Sequence, residues 1–598
     1  MKKLFFTLLA IWMLMLCGCS ALSRLMPQQA LPEQAPTLEE QIEQKRAQLG
    51  SLQAELELVQ AELDELEKQA AAIQKEEAEK ARLAAEAEKE KAAQQAEQEA
   101  PPVKEEETPA QPAPEEPAAS EEPDEPQETG ADSFRFGSLD EIPAGPRSEA
   151  GERTLNLADQ TIRVCQTEQT GTACTLYSRR YEADDGSIFE TQRAENSVTG
   201  SFSFPLVEVA SYRARIYWFD FANRVWYADD LMRGTYTASL IFISFDDGSQ
   251  LLVSTPKLYK PLENEVMEYQ NRYTGQLHVD LTEIGIKLSA PAEIPDQSYV
   301  CDCTFVYLPQ GGMDPYDEQS CAYAFGSYSG DQDGKWLFDG YYANTPSTYV
   351  PGGALRYYRC AASYLADCMT RRLDCCPAAP LMSVAMLDTV ALYQNEQGFW
   401  PTSPVSQWLQ TDYGIEAGFY DTRFNTDLIA RMLDVNEALG CSLFTDTIRR
   451  YYSFYCDFAE NNHIETESGG WLVADYWHPE AHQTPHTSLN HQLAEILTLH
   501  RAGDYLNSDT LHRLADVMLL AIEDTGMKWV KDNHDLHYCI MPDGSFALAD
   551  YPCLTYNDMF LLQRYFDETG RAESKTLDRL MGEKMMWMLD LGATDYLR

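Results

Sequence analysis

The spacing of hydrophobic positions changes along this chain of 598 residues, and each spacing predicts a different kind of structure. Between residues 37 and 98, apolar side chains recur alternately three and four positions apart, without a break from Leu49 to Ile73. This heptad pattern, almost free of Gly and Pro, predicts a coiled coil through which copies of the chain self-associate. Residues 99–150 are rich in Pro and Glu and have little to bury, which predicts a disordered linker.

Residues 151–310 alternate apolar and polar side chains in short runs such as YRARIYWFDF and TYTASLIFISF. Turn signals separate these runs, among them the hairpin-type turn that ends at Gly186. Many short antiparallel strands without intervening helices predict an all-β, sandwich-like domain. The Tyr- and Gly-rich residues 311–353 are expected to form a connector that packs on its neighbours.

From residue 354 to residue 598 the apolar period becomes helical, which predicts an all-α domain. The predicted helices cover residues 354–373, 381–394, 425–440, 443–460, 487–502, 508–523, 554–569 and 574–590. Short joints pair them into about four helical hairpins, and three hairpins open with an Asn, at Asn425, Asn490 and Asn557. Each Asn is expected to cap its helix. Long loops entering on one side favour an incomplete α/α toroid with a cleft at one rim, and an open solenoid is the alternative.

The chain is strongly acidic, with 95 Asp and Glu against 46 Lys and Arg and a formal net charge of -49. This excess excludes nucleic acid as a partner, because phosphate binding needs clustered basic side chains. Residues 131–598 by themselves hold 67 acidic and 34 basic side chains. A polyanionic ligand would therefore be repelled unless a local basic groove offsets this charge.

The N-terminus has the features of an export signal, because a Lys pair precedes an apolar run at residues 4–16. The run has 13 residues, too few to cross a bilayer as a helix. Its ending, LCGC, resembles the lipobox of bacterial lipoproteins. The resemblance implies that residues 1–18 are a signal peptide, that Cys19 carries lipid, and that residues 19–36 tether an extracytoplasmic protein to the bacterial cell membrane. An ordinary secretory peptide with an incidental Cys is the alternative.

Thirteen cysteines follow Cys19, and an odd number cannot all pair with one another. Cys165 and Cys174 flank a short polar stretch and could staple a hairpin. Cys375 and Cys376 are adjacent, so their partners stay open. No CxxC motif occurs, so no metal site is predicted, and no cofactor is expected.

Polar and aromatic side chains concentrate in the loops that precede the hairpins, and nine of the ten His fall between residues 463 and 537. Aromatic walls with a few His, Asp and Arg groups suit the faces and hydroxyls of sugar rings. Ordinary loop hydrogen bonds and helix caps explain the same residues. If the repeats place them around one cleft, the side chains expected to bind substrate are Tyr420, Arg423, Asp475, Tyr476, Trp477, His486, Asn490, Asp550, Tyr556 and Asn557.

Three segments resemble successive hairpin openings in the C-terminal domain of D-glucuronyl C5-epimerases: QNEQGFWPTSP, DYWHPEAHQTPHTSLNHQLAEILTLHRAGD and DYPCLTYNDMFLLQRYFDETG. The likeness covers roughly residues 380–590, and that family also has a β-rich part before its helices. It implies a uronyl C5-epimerase-like enzyme in which Tyr551 and Tyr538 match proton-transferring tyrosines. His482 stands where the family has another Tyr and is the third candidate for proton transfer.

Such an enzyme removes the proton at carbon five of a uronic acid with a base and returns it from the opposite ring face with an acid. Arg423 could neutralise the sugar carboxylate and make that proton more acidic. We therefore expect a carbohydrate-active lipoprotein that acts on a uronic-acid-containing oligosaccharide. Two alternatives stay open: a polysaccharide lyase, which begins with the same proton loss, and a non-catalytic glycan-binding or scaffold lipoprotein of the cell envelope.

Overall fold

The computed structural model describes residues 151–597 except 172–173, 196–199, 221–222, 224, 274 and 329–333. The chain divides into residues 1–128 and 129–598, and every described residue belongs to the second unit. The predicted signal peptide, tether, coiled coil and linker therefore lie outside the described residues. In the part of the chain that is described, no helix is both long enough and apolar enough to cross a membrane.

Antiparallel strands occupy most of the described chain from Glu152 to Arg359. They are β1 (Glu152–Asn156), β2 (Thr161–Thr170), β3 (Thr175–Ala183), β4 (Ile188–Glu195), β5 (Gly200–Val209), β6 (Ala214–Asp220), β7 (Val225–Asp230), β8 (Gly234–Thr237), β9 (Leu240–Phe245), β10 (Gln250–Pro261), β11 (Met267–Tyr269), β12 (Gln276–Leu281), β13 (Ile286–Ile294), β14 (Val300–Leu308), β15 (Gly334–Leu337), β16 (Gly340–Asn344), β17 (Tyr349–Val350) and β18 (Arg356–Arg359). The larger sheet runs β1-β2-β3-β4-β14-β10-β11-β18-β16-β15, with β9, β6 and β7 branching from β10. A smaller sheet runs β5-β13-β12-β8.

The two sheets share one apolar core. Phe204, Leu277 and Leu288 come from the smaller sheet and are buried. Ile243 and Leu251 come from β9 and β10 of the larger sheet and belong to the same core. Alternation of apolar and polar residues along these strands places one face of each sheet on this core, as the period of two requires.

Helices follow the strands, and this predicted order of a β-rich part and a helical part is confirmed. The helices are α1 (Cys321–Tyr328), α2 (Tyr364–Thr370), α3 (Ala379–Ala391), α4 (Gln407–Tyr413), α5 (Thr422–Ala438), α6 (Thr445–Asn461), α7 (Leu489–Leu506), α8 (Asp509–Thr525), α9 (Leu554–Thr569) and α10 (Lys575–Leu591). Short strands lie in the loops: β19 (Val405–Ser406), β20 (Tyr420–Asp421), β21 (His463–Glu465), β22 (Trp471–Val473), β23 (Tyr476–Trp477), β24 (Thr487–Ser488), β25 (His537–Ile540) and β26 (Phe546–Ala549).

The three hairpin openings that contain Asn425, Asn490 and Asn557 lie at the starts of α5, α7 and α9, and these helices pack side by side. Helix α7 buries 13 of its 18 residues, whereas α10 buries 4 of 17. A helix that is buried all round belongs to an inner layer, and one with a narrow buried stripe lies outside. The first turns of α5, α7 and α9 therefore point their loops toward a common region.

The expectation that Asn425, Asn490 and Asn557 cap their helices is wrong. All three lie inside the first turn, and the capping positions belong to the residues before each helix, such as Asp421 before α5. Buried Asn425 instead accepts a hydrogen bond from the Trp400 amide at 2.8 Å and donates one to the Trp400 carbonyl at 3.0 Å. Asn425 therefore fixes the turn at Gly398–Trp400 to the helix.

The first predicted helix, over residues 354–373, is also wrong in its first half. Strand β18 occupies Arg356–Arg359 and pairs with β11 and β16. Tyr357 and Tyr358 pack into separate cores on opposite faces of this strand, so apolar spacing that suits a helix serves a strand buried on both sides. The connector over 311–353 contributes α1, β15 and β16, and the two strands extend the larger sheet.

A hairpin staple between Cys165 and Cys174 is not formed. Across the β2–β3 ladder Cys165 faces Arg180, while Cys174 lies at the turn, where its carbonyl accepts from the Gly171 amide. Both thiols are free. Residues 166–170 of the polar stretch between them belong to β2 and are held to β3 by the backbone ladder.

Candidate functional site

A cavity of about 950 Å³ opens among the first turns of α5, α7 and α9 and the loops before them. Its wall combines aromatic rings with charged side chains. The aromatic and His residues at the cavity are Tyr349, Tyr364, Trp408, Phe424, Tyr476, His486, His491, Tyr538 and Tyr551. The charged residues are Asp367, Arg371, Asp421, Arg423, Asp427, Arg431, Arg501 and Asp558. Four Asp thus meet four Arg, so this surface lacks the acidic excess of the chain as a whole.

One end of the cavity is an aromatic corner. The Trp408 ring lies 5.4 Å from the Tyr476 ring and 5.8 Å from the His486 ring, measured between centroids. Tyr538 lies 5.8 Å from His486, and Tyr551 lies 5.8 Å from Tyr538. These residues come from α4 and from the loops before α7 and α9, and they enclose a space with flat apolar faces.

His486 is buried at the back of this corner, with the Tyr413 hydroxyl 2.8 Å from its Nδ1. Its Nε2 lies 3.5 Å from Oδ2 of Asp475. The Ser488 amide donates to Oδ1 of this carboxyl, and the Ser488 hydroxyl donates to Oδ2. Burial lowers the pKa of His486 to about 4. The ring is therefore neutral at pH 7 and can accept a proton.

The pKa values of the two tyrosines at this corner are raised, whereas that of His486 is lowered. Burial raises the pKa of Tyr538, and the nearby Asp475 carboxyl adds to the rise. Burial also raises the pKa of Tyr551, which is nevertheless 51% exposed and faces the cavity. Both phenols keep their protons at neutral pH, so this corner joins one proton acceptor with two proton donors.

Arg423 on α5 is held by two carboxylates. Its Nε donates to Oδ1 of Asp427 at 2.9 Å, and Nη1 donates to Oδ2 of Asp558 at 2.7 Å. The same Nη1 donates to the Asn490 carbonyl at 3.0 Å. Burial outweighs the nearby guanidinium and raises the pKa of Asp558 to about 6. Below that pH the protonated carboxyl leaves the Arg423 charge less compensated.

Asp421 is a second carboxyl at the cavity whose pKa is raised. Its Oδ1 accepts the Phe424 amide at 3.0 Å and so caps α5, a contact that favours the charged form. Burial nevertheless raises its pKa to about 7. This carboxyl can therefore take up or release a proton close to neutral pH.

Six of the predicted site residues line the cavity, and the others lie elsewhere. Those at the cavity are Arg423, Tyr476, His486, Asn490, Tyr538 and Tyr551. Asp475 lies directly behind His486 and anchors the loop through Ser488. Tyr420 is fully buried, with its hydroxyl 2.9 Å from that of Tyr451.

The remaining predicted residues do not line the cavity because other contacts engage them. Trp477 packs on Phe454 with ring centroids 5.7 Å apart. Tyr556 packs on Tyr596, and Asn557 accepts the Leu597 amide. Asp550 forms an ion pair with Lys584 at 2.8 Å and accepts a hydrogen bond from Thr555 at 2.6 Å. The half-buried His482 ring lies 2.9 Å from the Glu480 carbonyl in its own loop.

Trp408, Tyr413, Tyr349 and Tyr364 are site residues that the sequence did not single out. Trp408 and Tyr413 belong to α4, a short helix that the apolar period did not predict. Tyr349 lies on β17, inside the stretch expected to be a connector. The sequence signal that could have revealed Trp408 and Tyr413 is the segment WLQTDY, where two aromatic residues stand five positions apart between two predicted helices.

A second cavity of about 410 Å³ adjoins the first, since Arg371 and Arg431 line both. Asp434 and Glu437 of α5 also line it. Arg431 forms ion pairs with Asp434 and Asp367, at 2.8 and 3.1 Å, so charges of both signs continue along the groove. Among the described residues, no group of three or more His, Cys, Asp or Glu side chains could hold a metal ion.

No family model matches the chain, and no curated protein matches it. Solved structures similar to parts of it include a D-mannose isomerase, at 11% identity and a TM-score of 0.30 over 40% of this chain. The chain spans 62% of that isomerase. A novel alpha-amylase from Clostridium perfringens is 12% identical, with a TM-score of 0.30 over 45% of this chain and 84% of that one. A rhamnosidase from Klebsiella oxytoca is 9% identical, with a TM-score of 0.26 over 66% and 85%. At this level, similarity assigns no activity.

Proposed function

We propose that the cavity binds a uronic-acid-containing oligosaccharide and transfers the proton at carbon five, as a uronyl C5-epimerase does. The observation that carries this proposal is the aromatic corner, where neutral His486 and the protonated Tyr538 and Tyr551 border the same space as Arg423. Proton acceptors and donors around one aromatic-walled cavity are what such chemistry needs. The inner helices with their loops at one rim are, in this interpretation, an incomplete α/α toroid.

In the proposed reaction, Tyr538 passes its own proton to His486 while its oxygen takes the carbon-five proton, and Tyr551 donates its proton to the other ring face. Exchange with solvent then removes the proton from His486 and restores the one on Tyr551. Loss of the proton leaves negative charge on the sugar carboxylate side, which the guanidinium of Arg423 stabilises. The two protons need not be the same one, so solvent hydrogen enters the product. In the reverse reaction, Tyr551 takes the carbon-five proton and Tyr538 returns one.

Access to Arg423 depends on Asp558. Because the pKa of Asp558 is about 6, mildly acidic solution protonates it and weakens its hold on Arg423. A sugar carboxylate can then take its place beside the guanidinium. The adjoining second cavity, with Arg371 and Arg431 at the junction, extends the groove beyond a single sugar and supports an oligosaccharide as substrate.

Hydrogen exchange at carbon five tests the proposal directly. Uronic-acid oligosaccharides incubated with the enzyme in heavy water should gain deuterium at that carbon and invert its configuration, both read by NMR. His486→Ala should slow both processes by roughly a hundredfold or more, because the proton acceptor is gone. Tyr551→Phe should abolish inversion while exchange with retention persists.

Tyr556→Phe is the matched control, because this Tyr packs on Tyr596 and does not line the cavity. It should leave exchange and inversion unchanged. Inversion that survives in Tyr551→Phe removes that residue from the mechanism. An unsaturated sugar end that absorbs ultraviolet light would identify a lyase instead.

A binding module without catalysis is the second candidate, and the ion pairs of Arg423 favour it. Two carboxylates already compensate this guanidinium, which is the arrangement expected for a site that orders neutral sugar hydroxyls. Glycan binding by calorimetry without any exchange at carbon five would decide for this candidate.

We also propose that the protein is extracytoplasmic and anchored to the bacterial cell membrane through lipid on Cys19, as the LCGC ending suggests. Cys19→Ala should release the protein from the membrane fraction or leave its precursor uncleaved. Immunoblots of fractionated cells measure both results. A processed, membrane-bound Cys19→Ala product would contradict the anchor.

A further inference from the structure

Two cysteines far apart in the chain meet where the β-rich part joins the helices. Cys321 begins α1, and Cys376 precedes α3 by three residues, 55 positions further on. The Cys321 amide donates to Sγ of Cys376 at 3.4 Å. The Cys321 thiol interacts with the same sulfur, which also lies 3.9 Å from the Gly312 carbonyl.

These donors decide which sulfur is the nucleophile. The hydrogen bond from the Cys321 thiol and those from the backbone amides lower the pKa of Cys376 to about 6. The same thiol contact, with burial, raises the pKa of Cys321. Cys376 is therefore largely a thiolate at neutral pH, and Cys321 keeps the proton.

We propose that Cys321 and Cys376 form a redox-active dithiol that closes to a disulfide by exchange with an oxidised thiol carrier. The Cys376 thiolate attacks one sulfur of the carrier disulfide and releases the first carrier thiolate. Cys321 then loses its proton and attacks Sγ of Cys376, which breaks the mixed disulfide and releases the second carrier thiolate. The protein dithiol is oxidised, and the carrier disulfide is reduced to two thiols.

Closure would join two parts of the fold that are otherwise held by non-covalent contacts. The new bond encloses β15, β16, β17, β18 and α2, and it fastens the start of α1 to the segment just before α3. Asp388 on α3 already accepts a hydrogen bond from Tyr181 of β3 at 2.8 Å, so the helix lies against this sheet. A covalent link should restrict the unfolded chain and raise the thermal unfolding midpoint.

The next residue in the chain supplies a control. Cys375 is exposed, and its thiol lies 3.7 Å from the Gln319 carbonyl rather than against Cys321. Because only 4% of Cys376 is exposed, the disulfide that oxidises it must be a small molecule such as oxidised glutathione. The Cys375→Ser variant should keep the Cys321–Cys376 bond.

The experiment uses the full chain, first reduced and then treated with excess oxidised glutathione at neutral pH. Acid quenching, alkylation and peptide mass spectrometry should find one peptide pair joined through Cys321 and Cys376, with two hydrogens lost. The oxidised protein should melt at a higher temperature than the reduced protein. Cys321→Ser and Cys376→Ser should lose both effects.

The mapping of the unchanged chain decides the proposal even if a variant fails to fold. Free, alkylated Cys321 after oxidation would overturn it, and so would a bond from Cys321 to Cys375. A mixed glutathione disulfide on Cys376 that never resolves would show that Cys321 does not attack, and would also overturn it.

Discussion

Replacing Glu495 by Gln should remove a large pH dependence from the stability of this fold. Glu495 lies on α7, behind the cavity wall, and is 2% exposed. The Tyr455 hydroxyl donates to its Oε2. Burial raises the pKa of this carboxyl to about 8 although hydrogen bonds from Thr422 and Tyr455 favour the charged form. The folded protein therefore holds a proton that the unfolded chain has lost at neutral pH.

The size of the effect follows from the two pKa values of Glu495. An unfolded Glu ionises near 4.5, whereas the folded carboxyl ionises near 8. Between these values the folded state binds more protons, so the free energy of unfolding falls as pH rises and levels off above about 8. At about 1.4 kcal/mol for each pKa unit, the full loss is about 5 kcal/mol, of which about 3 kcal/mol is reached by pH 7. Gln keeps the shape and cannot ionise.

Urea unfolding followed by tryptophan fluorescence, repeated from about pH 5 to about pH 9, measures this difference. Glu495→Gln should gain stability over the unchanged chain steadily as pH rises. Glu568→Gln is the matched control on α9, because its side chain is 65% exposed, and it should follow the unchanged chain. Parallel curves for the unchanged chain and Glu495→Gln would refute the assignment of a buried, protonated carboxyl.

Two further changes test other parts of the chain. Lys584→Met removes a fully buried ammonium that contacts Asp535 at 2.6 Å and Asp550 at 2.8 Å. The loss of this partner should lower the free energy of unfolding by about 3–5 kcal/mol, measured by urea unfolding at pH 7. Unchanged stability would contradict this. A peptide of residues 37–98 should be helical by circular dichroism and self-associate, and sedimentation as a monomer at high micromolar concentration would count against the coiled coil.

The local pattern of the sequence was enough to predict most helices. Helix α9 over Leu554–Thr569 has the predicted bounds, and α5, α7 and α8 differ from theirs by a few residues at their ends. The reason is that a period of 3.6 is written in neighbouring residues and specifies which face is buried. The same holds for the alternation that predicted the β-rich part before the helices. Arg423 in the first turn of α5 and the loop residues Tyr538 and Tyr551 border one cavity.

Tertiary structure alone decided the rest. Whether Arg356–Arg359 becomes a strand depends on partners β11 and β16, and no local period contains that information. His486 borders the cavity and His482 does not, although both stand in one loop. Arg423 meets Asp558 across 135 positions of sequence. Burial, ion pairing and the resulting pKa values arise from contacts between distant residues, which exist only once the chain has packed.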